Sequence, residues 1–345
     1  MKKFLFLSAL FLLSACSPTQ PHVIQDTQAS ISGPYLGSEY KGNYVWGGAM
    51  NLAWTELNDN LIKEKTQLKT DDKTAVEMVK QLNDPIFTKT DLDEASYYIK
   101  SGYGQQTVAT INQESKAKFP SKSFADLEMD LDPKDLIAYA YFLKEVEYLT
   151  PFETSDLNFL GQTVNSFYAQ GEQKKTVEIL NYESDDKFII RLKLKDAADQ
   201  LILAKGYDMT DPQQVVSEVE KNNKKELPLL AYDDRFETPV LHLDHHRDYV
   251  ELIGKYFANK GFEDYAIGQM FENIKFDMDE EGAKVENEAV ITGETMSAGP
   301  PEEEPPHKNF ILNKPYWVIM QRQDAQNPYF ILGVKNEELM DSQSK

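Results

Sequence analysis

The chain has one cysteine, Cys16, and it lies ahead of every segment that reads as folded. No disulfide can staple the fold, and no thiolate metal site can form beyond that point. Stability has to come from apolar burial. With 345 residues, 41% of them hydrophobic, and 18 Tyr and 18 Phe, there is enough for one large core or two modest ones. So many aromatics also exclude a disordered chain.

The setting of Cys16 accounts for its isolation. Lys2 and Lys3 form a basic start, Phe4 to Leu13 an apolar run, and Leu13-Ser14-Ala15-Cys16 closes it. The run falls short of the roughly 20 residues of a permanent span. A basic flank, a short apolar stretch and small residues at the cut mark a secretory signal. A cysteine directly after the cut is where lipoprotein processing acylates the thiol, so residues 1–16 are expected to be a signal peptide ending at lipidated Cys16. The competing reading is an incidental thiol in an uncleaved signal helix. Ser17 follows where Asp would favour inner-membrane retention. The expected address is therefore the cell envelope, with the outer membrane preferred.

Net charge is −21, and removing Lys2 and Lys3 makes the mature chain more negative. Such a surface repels nucleic acid and anionic head groups, which excludes both as partners. The anchor has to hold against that repulsion, which several acyl chains can do where one cannot.

Residues 17–41 are rich in Pro, Ser, Gln and Gly and read as a flexible tether. A single domain is expected over 42–336, and 337–345 reads as a polar tail. Helical spacing is expected over Met50 to Lys63, with Met50, Leu52, Ala53, Leu57 and Leu61 on one face, and over Lys73 to Leu82. Asp132-Pro133 is a good helix entry, but Leu136 to Phe142 is a continuous apolar run that fits a doubly buried strand as well as a helix. Lys187 to Leu194 alternates as a strand, Leu201 to Ala204 is a second, and Asp211 to Val219 is a capped helix. Asp248 to Lys260 reads as a helix ended by Gly261. Tyr316 to Met320 and Tyr329 to Val334 flank a polar turn and look like a closing hairpin. Pro300-Pro301-Glu302-Glu303-Glu304-Pro305-Pro306 enforces extended, solvated backbone, either as a connector or as a presented bait loop.

Metal ligands cluster once. On a strand, His242, Asp244 and His246 point the same way, a spacing that can hold zinc, although a structural or surface role is the expectation. No Gly-x-Ser-x-Gly, second cysteine or phosphate-cradling glycine loop occurs, so no catalytic residue and no cofactor is expected. Asp279-Glu280-Glu281 reads as a solvated turn. Trp46 and Tyr97-Tyr98 read as core before they read as a sugar-binding surface.

Several segments of the C-terminal half resemble one family. Phe276-Asp277-Met278-Asp279-Glu280-Glu281-Gly282 resembles the Phe-x-Val-x-Glu-x-Gly stretch in which a serpin core strand leads into the reactive-loop hinge. Asn313-Lys314-Pro315-Tyr316-Trp317-Val318-Ile319-Met320 resembles the serpin strand that follows the loop. Tyr329-Phe330-Ile331-Leu332-Gly333-Val334-Lys335-Asn336 resembles the closing strand. Upstream, Leu136 to Phe152 is similar to the family's Leu-Val-Asn-Ala-x-Tyr-Phe-Lys-Gly stretch. The resemblance covers about residues 136–336, while the Ser-Pro-x-Ser-Ile element is missing around Tyr44 to Met50.

The resemblance implies an α+β fold of mixed β-sheets with surrounding helices and an exposed reactive-type loop at about 282–309. It implies no enzyme but an inhibitor of extracytoplasmic serine or cysteine proteases, acting as a monomer. The hinge would comprise Glu280, Gly282, Ala283, Val285, Asn287 and Ala289, with the scissile bond at Met296-Ser297. A protease cuts such a loop, and the hinge end enters the main sheet as a strand. Here Ala283, Val285, Asn287, Ala289 and Ile291 alternate with Lys284, Glu286 and Glu288, as insertion requires. The same alternation fits an ordinary strand of a static sheet. Asn287 costs about 1–3 kcal/mol if buried unpaired. The alternative function is a non-inhibitory binding or structural lipoprotein of the same fold.

Overall fold

The computed structural model describes residues 30–32, 37, 42–120, 126–285 and 307–341. Strands β1 (Ser30–Ser32) and β2 (Asn43–Gly47) lead into helix α1 (Ala49–Glu56), which continues as a π-helical turn over Leu57–Ile62. Helix α2 (Lys73–Asn83) starts at Asp72, whose carboxylate accepts from the Thr74 and Ala75 amides. Next come β3 (Tyr97–Tyr103), α3 (Gly104–Lys118), β4 (Leu136–Phe142) and β5 (Lys144–Glu147). Then follow β6 (Glu153–Phe159), β7 (Gln162–Tyr168), β8 (Val177–Ser184), β9 (Lys187–Leu192) and β10 (Asp199–Lys205). Helix α4 (Pro212–Asn222) has Asp211 as its cap and proline at its start. The chain continues through β11 (Arg235–Pro239), β12 (Leu241–Asp248), β13 (Phe271–Met278) and β14 (Gly282–Val285). It closes with β15 (Asn309–Ile311), β16 (Tyr316–Arg322) and β17 (Phe330–Val334).

The architecture is α+β, with mixed sheets and helices around them, as expected. A seven-stranded sheet runs β1-β2-β17-β16-β10-β9-β8, with the β16–β17 hairpin near its middle. Strands β2, β10 and β17 are buried along their whole length, which is why Leu201 to Ala204 and Tyr329 to Val334 read as apolar runs and not as alternation. A four-stranded sheet, β15-β11-β7-β6, packs against it through Phe159, Phe167, Phe236 and Phe310. A second, β12-β13-β14-β5, covers another part of the same core with Leu243, Phe276, Met278 and Val146. Among the described residues, strand β4 pairs with β3 alone. A separate small core joins α1 and α2 to the segment after β12 through Trp54, Met78, Leu82, Leu252 and Phe257.

Three expectations change. Leu136 to Phe142, open between helix and strand, is a strand, because Tyr97–Tyr103 supplies a full ladder from Tyr97↔Phe142 to Tyr103↔Leu136. Asp248 to Lys260 is not a helix. Gly254 sits at φ +79°, and the Lys255 and Phe257 backbone bonds with Ile267 and Tyr265 draw the chain into a β-like pairing instead. The ordered chain also extends past both expected limits of the domain. Ser30–Ser32 pairs in parallel with β2, and Leu339 and Met340 are buried under an Asn336-capped turn.

Candidate functional site

The site is built around a short strand held on both sides. Strand β14 pairs antiparallel with β13, Met278↔Ala283 and Asp277↔Lys284, and antiparallel with β5, from Gly282↔Glu147 to Val285↔Lys144. The turn into it is fixed by Asp279, whose carboxylate accepts from the Glu281 and Gly282 amides at 2.9 and 3.1 Å. The Glu280 and Glu281 carbonyls accept from Phe152 and Tyr148 amides at 2.8 and 3.0 Å, so the turn is tied down from a third direction. Ala283 is buried beside Val146 and Met278, which puts the small-residue face of this segment inward.

Gly282 is required by contact and not by conformation. A Cβ at this position would lie 2.2 Å from the Val146 carbonyl oxygen and 3.0 Å from Glu147 Cα. Only glycine lets β14 approach β5 this closely.

Ahead of β14 the sheet opens. Strand β12 covers one edge of β13 along its whole length, but on the other edge, among the described residues, β14 covers only Asp277 and Met278. Strand β4 has β3 along one edge and no strand along the other among the described residues. Between these two uncovered edges lies a cavity of about 1300 Å³, lined by Leu136 to Phe142, Phe271 to Lys275, and Met50, Ala53 and Trp54 of α1. The seam is continuous with β14, because β5 follows β4 after one residue.

A buried ionic cluster stands at the junction. Lys144, opposite Val285, reaches Asp93 Oδ2 and Asp199 Oδ2 at 2.7 Å each, and Asp199 Oδ1 accepts from the Tyr329 hydroxyl at 3.2 Å. Burial alone would lower the Lys144 pKa, but its hydrogen bonds to Asp199 and Asp93 raise it above the usual lysine value. Burial pushes Asp199 up against the pull of that lysine. Lys205 of β10 is a second buried cation. Its ammonium donates to the Ile311 carbonyl at 2.8 Å and to Asn313 Oδ1 at 2.9 Å, fastening the chain that follows β15 to the seven-stranded sheet.

Of the expected hinge residues, Glu280, Gly282, Ala283 and Val285 are placed as described. Asn287, Ala289, the Met296-Ser297 bond and Cys16 lie outside the described residues. His242, Asp244 and His246 share strand β12, but each is engaged with a different partner. His242 Nδ1 lies 2.8 Å from Asp277 Oδ1 and its Nε2 3.4 Å from Asp341 Oδ2. Asp244 pairs with Lys275 at 2.9 Å, and His246 Nδ1 lies 2.7 Å from Asn273 Oδ1. Among the described residues no group of His, Cys, Asp and Glu is gathered to hold a metal. Hydrogen bonds to Asp277 and Asp341 push His242 up to about 10, so it carries charge at neutral pH. Trp46 is fully buried against Phe87, a core residue and not a binding platform. Lys144, Asp199 and Glu272 were not singled out from sequence. Asp279, three residues before a glycine, is the one whose turn-forming spacing was visible there.

No family model and no curated protein matches the chain. Among solved structures it is similar to serpins. Serpin48 of the insect Tenebrio molitor is 13% identical, with 86% of this chain and 92% of that chain covered and a TM-score of 0.48. Human thyroxine-binding globulin complexed with thyroxine is 12% identical, with 85% and 92% covered and a TM-score of 0.49. Human glycosylated kallistatin is 13% identical, with 85% and 91% covered and a TM-score of 0.48.

Proposed function

We propose that this is an envelope-anchored serpin-like protein, held by lipid on Cys16, that inhibits extracytoplasmic proteases by loop cleavage and strand insertion. The observation that carries the reading is β14, already seated between β13 and β5 with an open seam ahead of it. Continuing its register brings Glu286 beside Lys275, Asn287 between Phe142 and Ile274, and Ala289 between Ala140 and Glu272. The alternation of 283–291 then turns Ala283, Val285, Ala289 and Ile291 toward the core and the charged residues outward. A strand in this position would form hydrogen bonds with both uncovered edges, which is the source of the stability gain.

The test is incubation with elastase-, subtilisin- and chymotrypsin-like proteases. The expected result is a complex that survives denaturing electrophoresis, with cleavage at Met296-Ser297. Cleavage with no complex and no gain in thermal stability overturns the reading. The anchor has its own test: Cys16→Ser should move the protein from the membrane fraction to the soluble one.

One feature favours a second reading, a non-inhibitory binding or structural lipoprotein of this fold. Asn287 would enter the sheet between two apolar side chains that offer its amide no partner. Thermal stabilisation after cleavage without a trapped protease supports this second reading.

A further inference from the structure

Residues 17–41 read as tether from the sequence, yet Ser30–Ser32 pairs in parallel with β2, from Ser30↔Asn43 to Ser32↔Val45. That pairing fixes where the N-terminal chain enters the fold. From Asn43 at the start of β2, the ladder crosses the seven-stranded sheet through Tyr44↔Gly333, Tyr316↔Val334, Tyr316↔Lys205 and Lys205↔Phe188. These residues mark one end of the sheet. Gly47↔Phe330, Asp199↔Arg322 and the β16–β17 turn mark the other. The chain that follows the loop is fastened at the entry end. The Asn309 amide and Nδ2 donate to the Asp185 carboxylate, in the β8–β9 turn, at 3.0 and 2.8 Å, and the Lys308 amide donates to Asp234 at 2.9 Å. The Lys205 ammonium ties that turn to the same end, donating to the Asp185 carbonyl at 2.9 Å. From β1 to β9 the sheet order counts five strand spacings, or about 24 Å.

We propose that the anchor turns this end of the fold, with the downstream foot of the loop, toward the membrane, and that the partner is a protease seated on that same membrane. The inference rests on the lipid-anchored, protease-facing reading above and adds where the target sits. A chain spans at most about 3.3–3.6 Å per residue, so the link from Cys16 to Ser30 reaches about 45–50 Å. A link that ran free to Asn43 would reach about 90 Å. A fold of this size is about 50 Å across. To point the entry end away from the bilayer, the link has to pass that whole breadth. The longer link does so with ease, and the shorter one falls at or below the limit even when fully extended. Pairing of β1 with β2 thus removes the slack that would let the fold turn over. The foot of the loop, about 24 Å across the same end, stays on the membrane side.

The test uses the full lipidated chain on vesicles that carry an energy acceptor on their head groups. With Cys16 taken by lipid, one new cysteine can carry the donor. Ser184→Cys places it on exposed surface at the entry end, and Gln326→Cys on exposed surface in the β16–β17 turn at the other. Transfer to the lipid should be stronger from Ser184→Cys than from Gln326→Cys. A Gly/Ser insertion after Ser17 that doubles the link should lower the transfer from Ser184→Cys and abolish the difference. Equal or inverted transfer without the insertion overturns the orientation. For the partner, a subtilisin-like protease attached to the same vesicles should cut the loop roughly tenfold faster or more than the same amount attached to separate vesicles. Equal rates overturn the membrane-seated partner. A wild-type chain that leaves the vesicles as freely as Cys16→Ser overturns the anchor and this inference with it, whereas a chain that stays bound with inverted transfer overturns the inference alone.

Discussion

Gly282 shows how closely β14 lies against β5, since the Val146 carbonyl occupies the place of any side chain. Gly282→Ala has to push β14 away from β5, and the expected cost is about 1–3 kcal/mol, read as a lower urea midpoint. Asn287→Ala should do the opposite to the cut form. It removes an amide that would be buried between Phe142 and Ile274, so the gain in melting temperature after cleavage should rise; an unchanged gain counts against burial of that position. His242 clasps the C-terminal segment through Asp341, and its folded-state value, about 10, lies above its ordinary one. A raised base stabilises fully below its unfolded value of about 6.5 and loses that contribution as pH rises through about 10. Wild-type stability should therefore decline between pH 7 and pH 10 more steeply than that of His242→Gln, as followed by denaturation at each pH. The turn at Asp279 to Gly282 could be read from the chain because a turn is a local pattern. Glu272 and Lys144 could not, because in so acidic a chain the meaning of one carboxylate or lysine depends on what a distant strand sets beside it.

At the scale of elements, local chemistry was legible and pairing was not. The Asp211-Pro212 entry to α4 and the β16–β17 hairpin follow from caps and turns within a few residues. Leu136 to Phe142 stayed open between helix and strand because only β3, some 40 positions earlier, decides it. The segment after β12 has helical spacing but is claimed by Leu68 and Ala266 across the small core. The same long-range logic gives Lys144 its weight. It joins β5 to Asp199 on β10, a carboxylate with no exposed side-chain surface, and its backbone lies opposite Val285 of β14. Lys144→Met leaves that charge buried without its partner and is expected to cost about 3–5 kcal/mol. Asp199→Asn added to Lys144→Met should recover part of the loss. If the double variant is no more stable than the single one in chemical denaturation, the pair is not what holds this junction.

At the scale of the whole molecule, β4 along one edge and β13 along most of one edge are left without a strand partner among the described residues. Strand β14 is seated between β13 and β5, and the segment from β15 onward is fastened at Lys205. Two uncovered strand edges facing a cavity of about 1300 Å³ are a structural liability unless something fills them. In the proposed reading, lipid on Cys16 holds the domain to the cell envelope against the repulsion that a net charge of −21 meets at anionic membranes. The most direct test is hydrogen exchange along the seam, before and after the loop is cut. The expected result is new protection at amides of Leu136 to Phe142 and Glu272 to Phe276, as both edges acquire hydrogen bonds to an entering strand. Unchanged exchange along both edges in fully cut protein contradicts it.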